Sequence, residues 1–255
     1  MTATGTRRLR AFLVRELRDL PPGRRLRTRL AVEAIEDYAR TRGDDSGTVP
    51  SLLLLDAGSE EGLLCLALAR RHPRWRFVAA DISLTPLLRG QGWSHEAGLA
   101  VSYVCCDLQR VVAEGTFDVV VALESLVEIP DDRAALASMV AAIAPGGLFV
   151  AQVPTADWTP VLRSADRSWR REARHGYDAS QLVHLLDGLG LDVREVTPTF
   201  RRATALAQDV RDRYKRGGRW TRLAMLPVMA GAVAAERRGV TWGPARGLFV
   251  VAVKR

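Results

Sequence analysis

The sequence predicts an α/β fold: a Rossmann-like, seven-stranded, mostly parallel sheet with helices on both faces and an antiparallel last strand. Three observations carry the prediction. Short apolar runs alternate with helix-like segments from Ser51 onward, the order that builds an open sheet. These runs lack clean polar–apolar alternation, which implies burial on both faces. A final run, Gly247–Val253, follows a long helical stretch and is expected to insert antiparallel beside the sixth strand.

The elements follow in order. Residues 1–50 read as an N-terminal helical segment. Leu9, Phe12, Leu13, Leu17 and Leu20 recur at helical spacing, Pro21-Pro22-Gly23 interrupts, and Leu26–Tyr38 resumes with Leu30, Ala31, Ala34 and Ile35. A loop from Gly43 to Pro50 leads into a domain over 51–255. Its strands are expected at Ser51–Leu55, Arg76–Ala80, Val101–Cys105, Phe117–Ala122, Leu148–Val153 and Leu191–Val196, before the last run. Helices are expected at Glu61–Arg71, Asp131–Ile143 and Ala179–Leu189, the last with Asp178 as N-cap and Gly190 at its end. An irregular insert over 155–178 reads as a lid, and a helical insert covers 204–238, broken at Gly217-Gly218 and near Pro227.

Composition narrows the function. At about 150 residues per domain, 255 residues make one large domain with appendages. Hydrophobic residues at 47% and charged residues at 26% exclude a disordered chain. Of the three cysteines, Cys105 and Cys106 are adjacent, so no disulfide framework forms, and no Cys–His spacing suits a metal. No secretion signal and no apolar run of about 20 residues is found, which points to the cytoplasm. The net charge of +8 comes almost wholly from arginine, with Lys215 and Lys254 the only lysines. Such a chain-wide bias reads as compositional, and without basic–aromatic interleaving no nucleic-acid partner is expected. The stretch from Ala224 to Ala235, flanked by Arg219, Arg222, Arg237 and Arg238, is read as packing on the sheet edge or at a dimer contact in preference to a membrane surface. No signal fixes an oligomeric state.

Ligands of such sheets bind beyond the carboxyl ends of the strands, so the residues following each strand are the informative ones. After the first strand comes Asp56-Ala-Gly58-Ser-Glu60-Glu-Gly62, where glycines permit a tight turn and close approach. Asp81 ends the second strand, where a carboxylate accepts two hydrogen bonds from a ribose diol. Asp107 follows the third and can accept from an exocyclic amine. Asp118 opens the fourth in a structural role, and Glu124 stands at that strand's exit. The spacing Gly58-Ser-Glu-Glu-Gly62 is not the Gly-x-Gly-x-x-Gly of a nicotinamide site.

Taken together, Asp-x-Gly-x-x-x-Gly, Asp81, Cys-Asp107-Leu108, Phe-Asp-Val-Val-Val-Ala-Leu-Glu124 and Ala-Pro-Gly-Gly resemble the motif order of class I S-adenosylmethionine (SAM) methyltransferases. Glu124-Ser-Leu-Val-Glu128-Ile-Pro-Asp131 and Arg174-His-Gly-Tyr177-Asp are similar to segments of the small-molecule branch that includes the ubiquinone-biosynthesis enzymes. The resemblance implies SAM as cofactor. Gly58 and Gly62 would flank its methionine part, Asp56 would lie near its amino group, Asp81 would hold the ribose, and Asp107 with the Leu108 N–H would read adenine. It implies methyl transfer to a small-molecule acceptor such as a lipid, a quinone-like compound or a natural-product intermediate. Glu124, Glu128 and His175 are the candidate catalytic residues. Glu60 stands where the family has a glycine, Glu128 where the branch has a histidine, and Glu172 at another histidine position. These departures define the alternative, a methyltransferase-fold partner protein that has lost SAM binding. On the first reading the Glu60 carboxylate points to solvent.

Overall fold

The computed structural model describes residues 22–43, 51–111, 113–159, 173–214, 227–228, 230–236, 238–239 and 243–255. The expected helix over Leu9–Leu20, Trp169, Glu172 and parts of the two inserts lie outside them.

Helix α1 spans Pro22–Thr41. Pro22 occupies its first position, where the missing N–H costs nothing. Then follow β1 (Leu53–Ala57), α2 (Leu63–Arg71), β2 (Arg76–Asp81), α3 (Leu84–Ala97), β3 (Ser102–Cys105), β4 (Phe117–Leu123), α4 (Asp132–Ala142), β5 (Ile143–Pro154), α5 (Ala179–Gly188), β6 (Leu191–Thr199), α6 (Arg202–Tyr214) and β7 (Gly247–Lys254). Single 3-10 turns lie at Leu108–Arg110 and Leu126–Glu128. Asp178 caps α5 by accepting from the Ser180 and Gln181 N–H groups, as its position before the helix implies.

The seven strands form one sheet in the order β3-β2-β1-β4-β5-β7-β6. Pairing is parallel from β3 through to β5, while β7 runs antiparallel between β5 and β6. The expected architecture is therefore the observed one. Each face of the sheet carries a core. Leu54, Val119, Val121, Leu148 and Phe249 pack with Ala31, Val32 and Ile35 of α1 and with Leu64 and Leu68 of α2. Leu55, Val120, Phe149, Ala151 and Val250 pack with Leu136 and Met139 of α4 and with Leu182 and Leu186 of α5. The N-terminal helix thus shares a core with the sheet. Side-chain bonds fix the frame: Asp118 Oδ2 accepts from the Leu53 N–H at 2.8 Å, and Tyr38 Oη donates to the Gly146 carbonyl at 3.0 Å.

The strand order reverses between β1 and β4. Connections leave that point in opposite directions, opening a crevice at the strands' carboxyl ends. The termini of β1, β2 and β4 deliver Asp56, Asp81 and Glu124 there.

Candidate active site

A cavity of about 260 Å3 opens at this crevice. Its wall includes Asp56, Gly58, Asp81, Asp107, Leu108, Glu124 and Glu128 among the residues expected from sequence. Gly62 and His175 are not in that lining. Gly62 is the left-handed N-cap of α2, with φ 68°, and an added Cβ would lie 3.0 Å from Ala79 Cβ. Its smallness serves helix–strand packing. His175 is exposed and stacks on Trp158, with ring centroids 5.9 Å apart.

Local structure explains the cavity wall. Gly58 has φ 81°, and an added Cβ would sit 2.3 Å from Ser125 Cβ, so only glycine lets the first turn pass the β4 exit. Ser125 Oγ donates to the Ala57 carbonyl at 2.9 Å, tying the two together. Asp81 is nearly buried, and its oxygens accept from the backbone N–H groups of Glu60 (2.9 Å) and Ser83 (2.8 Å). It therefore shapes the glycine-bearing turn as well as facing the cavity. Asp107 caps the 3-10 turn, and hydrogen bonds from Gln109 hold its carboxyl below the usual range.

Electrostatics set the site apart. Burial pushes the Asp56 carboxyl up to about 7; Arg24 opposes the shift, while Asp81 and Glu60 add to it. Burial also raises Glu124, opposed by Arg27 and reinforced by Glu128. Glu124 adopts φ 67°, a conformation costing a non-glycine residue ~1–2 kcal/mol. Its N–H donates to the Gln152 carbonyl at 2.7 Å, which helps hold the strained geometry.

Three contributors were not read from sequence: Arg24, Arg27 and Ser59. Arg24 Nη1 lies 2.8 Å from Glu60 and its Nη2 3.4 Å from Glu61. Arg27 is 4.0 Å from Glu124, and burial lowers its pKa. Ser59 Oγ is buried in the cavity wall without a hydrogen-bond partner among the described residues. Glu60 takes φ 50°, the left-handed conformation its position implies, and its exposed carboxylate pairs with Arg24. The expected solvent exposure is thus accompanied by an ion pair.

A sheet of this order, with acidic groups at the ends of β1 and β2 and just after β3 around one crevice, is that of the class I SAM-dependent methyltransferases. The family model described as a methyltransferase domain matches residues 10–196, and the chain belongs to that family. A ubiquinone biosynthesis O-methyltransferase of Rhodopseudomonas palustris is 26% identical over 153 residues, covering 56% of this chain and 60% of that protein. The chain thus spans less than two thirds of that relative's length. Among solved structures, the [4+2]-cyclase SpnF superposes with a TM-score of 0.62 at 19% identity, covering 89% of this chain and 80% of the other. The magnesium protoporphyrin IX methyltransferase of Synechocystis, with bound SAM, gives 0.56 at 14% identity, covering 91% and 81%. At such identities the likeness is one of fold.

SAM is the family's cofactor, and the cavity suits it chemically. It offers carboxylates to hydroxyl and ammonium donors, a buried hydroxyl that lacks a partner, and arginines for a carboxylate. Among the described residues no cluster could hold a metal ion, and no helix is long and apolar enough to cross a membrane.

Proposed function

We propose that the chain transfers a methyl group from SAM to a hydroxyl of a small, quinone-like or related natural-product acceptor. The observation that carries this reading is Glu124. It is a carboxylate with a raised pKa, held at φ 67° in the same cavity as Asp56 and Asp81. The curated O-methyltransferase relatives support the acceptor chemistry.

When bound, SAM supplies a methyl group already activated by its sulfonium, so the protein's work is alignment, water exclusion and proton handling. Asp81 accepts from the ribose hydroxyls through lone pairs not used by the Glu60 and Ser83 N–H groups. Asp107 and the Leu108 N–H would hold the adenine edge. Asp56 would face the ammonium, Gly58 would let the backbone approach the methionine chain, and Arg27 would supply positive charge for its carboxylate. Glu124 would accept the acceptor's hydroxyl proton as the acceptor oxygen takes the methyl from the sulfonium, S-adenosylhomocysteine being the leaving group, and would return the proton to solvent afterwards. Glu128 raises the basicity of Glu124 through like-charge repulsion.

One ground for the alternative, a partner protein that has lost cofactor binding, is the charge of Glu60. Arg24 pairs with that carboxylate at 2.8 Å, which weakens that ground and leaves the departures at Glu128 and Glu172 as they were. The test is a radiolabelled methyl-transfer assay against hydroxylated aromatics, hydroxyquinone precursors and matched amines. Methylation of hydroxyl compounds, lowered by ~100-fold or more in Glu124→Gln, supports the proposal. Amine methylation alone, or full activity of Glu124→Gln, refutes it.

A further inference from the structure

Glu60 poses a physical question. It holds a left-handed backbone conformation, φ 50°, which glycine would adopt without strain. Its N–H is bonded to Asp81, so the backbone is committed to the cofactor turn. Its side chain is committed elsewhere, to Arg24 on α1 at 2.8 Å. Arg24 also reaches Glu61 at 3.4 Å, and Glu61 in turn holds Arg89 of α3 at 2.6 Å. Arg24 and Glu60 both line the cavity, one from α1 and the other from the β1–α2 turn.

We propose that the Glu60–Arg24 ion pair is a latch across the cofactor cavity, joining α1 to the cofactor-binding turn and slowing exchange of the bound nucleoside. The proposal rests on the reading of this cavity as the SAM site. The linked elements explain the effect. The turn is anchored to the sheet through Asp81, and α1 is anchored through the core residues Ala31 and Ile35. Between those anchors the bridge closes one side of the cavity wall. A ligand that passes this side of the wall opens the bridge, and opening it separates two charges. The same contact places Arg24 where its charge offsets that of Asp56, so the latch and the site electrostatics share one guanidinium. The pair is partly solvated, with side-chain exposures of 21% and 57%, so its strength depends on ionic strength. A charge pair of this kind governs rates more than affinity, because opening eases entry and release together.

The test is stopped-flow binding of S-adenosylhomocysteine to the full chain at low salt and at about 1 M salt, where screening reaches ~3 Å. Glu60→Gln and Arg24→Gln should each raise the release rate several-fold at low salt, with a smaller rise in the dissociation constant. The double variant should be no faster than the faster single variant. The exchanged pair, Glu60→Arg with Arg24→Glu, made together with Glu61→Gln to remove the carboxylate that lies 3.4 Å from Arg24 and would repel the exchanged charge, should restore slow release, and high salt should erase the differences. Melting temperatures are measured alongside to separate this from simple destabilisation. Unchanged release in both single variants, or failure of the exchanged pair to recover in a protein that melts normally, overturns the latch. Wild-type protein that does not bind S-adenosylhomocysteine at all overturns the cofactor-site reading beneath it.

Discussion

Asp81 couples ligand binding to the shape of the cofactor turn, and the two roles can be separated. Its carboxylate accepts two backbone N–H groups, from Glu60 and Ser83, and faces the cavity. Asp81→Ala removes the ligand's acceptor and also strands both N–H groups. Both bonds are only part-buried, so water can replace some of what the carboxylate supplied, and each lost bond costs ~0.5–1.5 kcal/mol. In a protein of this size each kcal/mol lowers the melting temperature by roughly 2–4 °C. The alanine variant should therefore lose both affinity and several degrees of stability. Asp81→Asn keeps the shape and one acceptor oxygen, but turns an NH2 toward one backbone donor. It should lose less stability yet still lose the charge-assisted bonds to a ribose, worth ~1.5–3 kcal/mol, or roughly 10- to 150-fold in Kd. Isothermal calorimetry with S-adenosylhomocysteine, paired with calorimetric melting, measures both. A folded Asp81→Asn variant with wild-type affinity would refute the ribose assignment. An Asp81→Ala variant with undiminished melting would refute the anchoring role.

Further outcomes follow from the same geometry. Because the folded-state pKa of Asp56 is raised from its ordinary 3.8 to about 7, its stabilising contribution is full at pH below 3.8 and declines as pH rises toward 7. An ammonium beside it pulls the pKa back down, so S-adenosylhomocysteine binding should release a proton near pH 6–7 and tighten with rising pH; calorimetry in buffers of different ionisation enthalpy reads this, and Asp56→Asn should abolish it. Gly62→Ala adds a Cβ at φ 68° and 3.0 Å from Ala79, which should destabilise the fold by about 1–3 kcal/mol in thermal melts. Arg246 forms a two-pronged bond to buried Asp209, at 2.8 Å on each oxygen, linking the approach to β7 with α6. Arg246→Met should cost about 3–5 kcal/mol in denaturant unfolding by withdrawing that counter-charge.

The fold was legible because the strands are apolar enough to announce themselves. The second strand starts at Arg76 and the seventh at Gly247, as read from the sequence. Boundaries moved where backbone geometry, not hydrophobicity, decides. The helix expected from Glu61 begins at Leu63, because Glu60 and Gly62 both hold left-handed conformations that a helix cannot include. The first strand runs on through Asp56 and Ala57, paired with Ala79 and Ala80, although a charged residue there looks like a strand's end. Helix α3 received no bounds, since Pro86, Gly90 and Gly92 weaken its helical signal. Gly90 is required by contact: an added Cβ would fall 2.2 Å from the Glu61 carbonyl oxygen.

The site was legible on the sheet side and hidden on the helix side. Asp56 and Asp81 lie among the last residues of β1 and β2, Asp107 and Glu124 just beyond β3 and β4, and the topology of a parallel sheet sends strand exits to one crevice, so local sequence suffices to gather them. Arg24 and Arg27 reach the same crevice from a helix whose docking depends on Ala31, Ile35 and Ala39 burying against β1, β4 and α2. Which of Arg24, Arg25, Arg27 and Arg29 then face the cavity follows from the helix's rotation about its axis. That rotation is set by tertiary packing, so a chain-wide arginine excess conceals it. The clue available in the sequence was Glu60 itself: a charged residue in a turn built for glycine needs an external reason, and its counter-ion supplies one. Reading such a departure as a search for a partner, in place of a lost function, leads directly to Arg24.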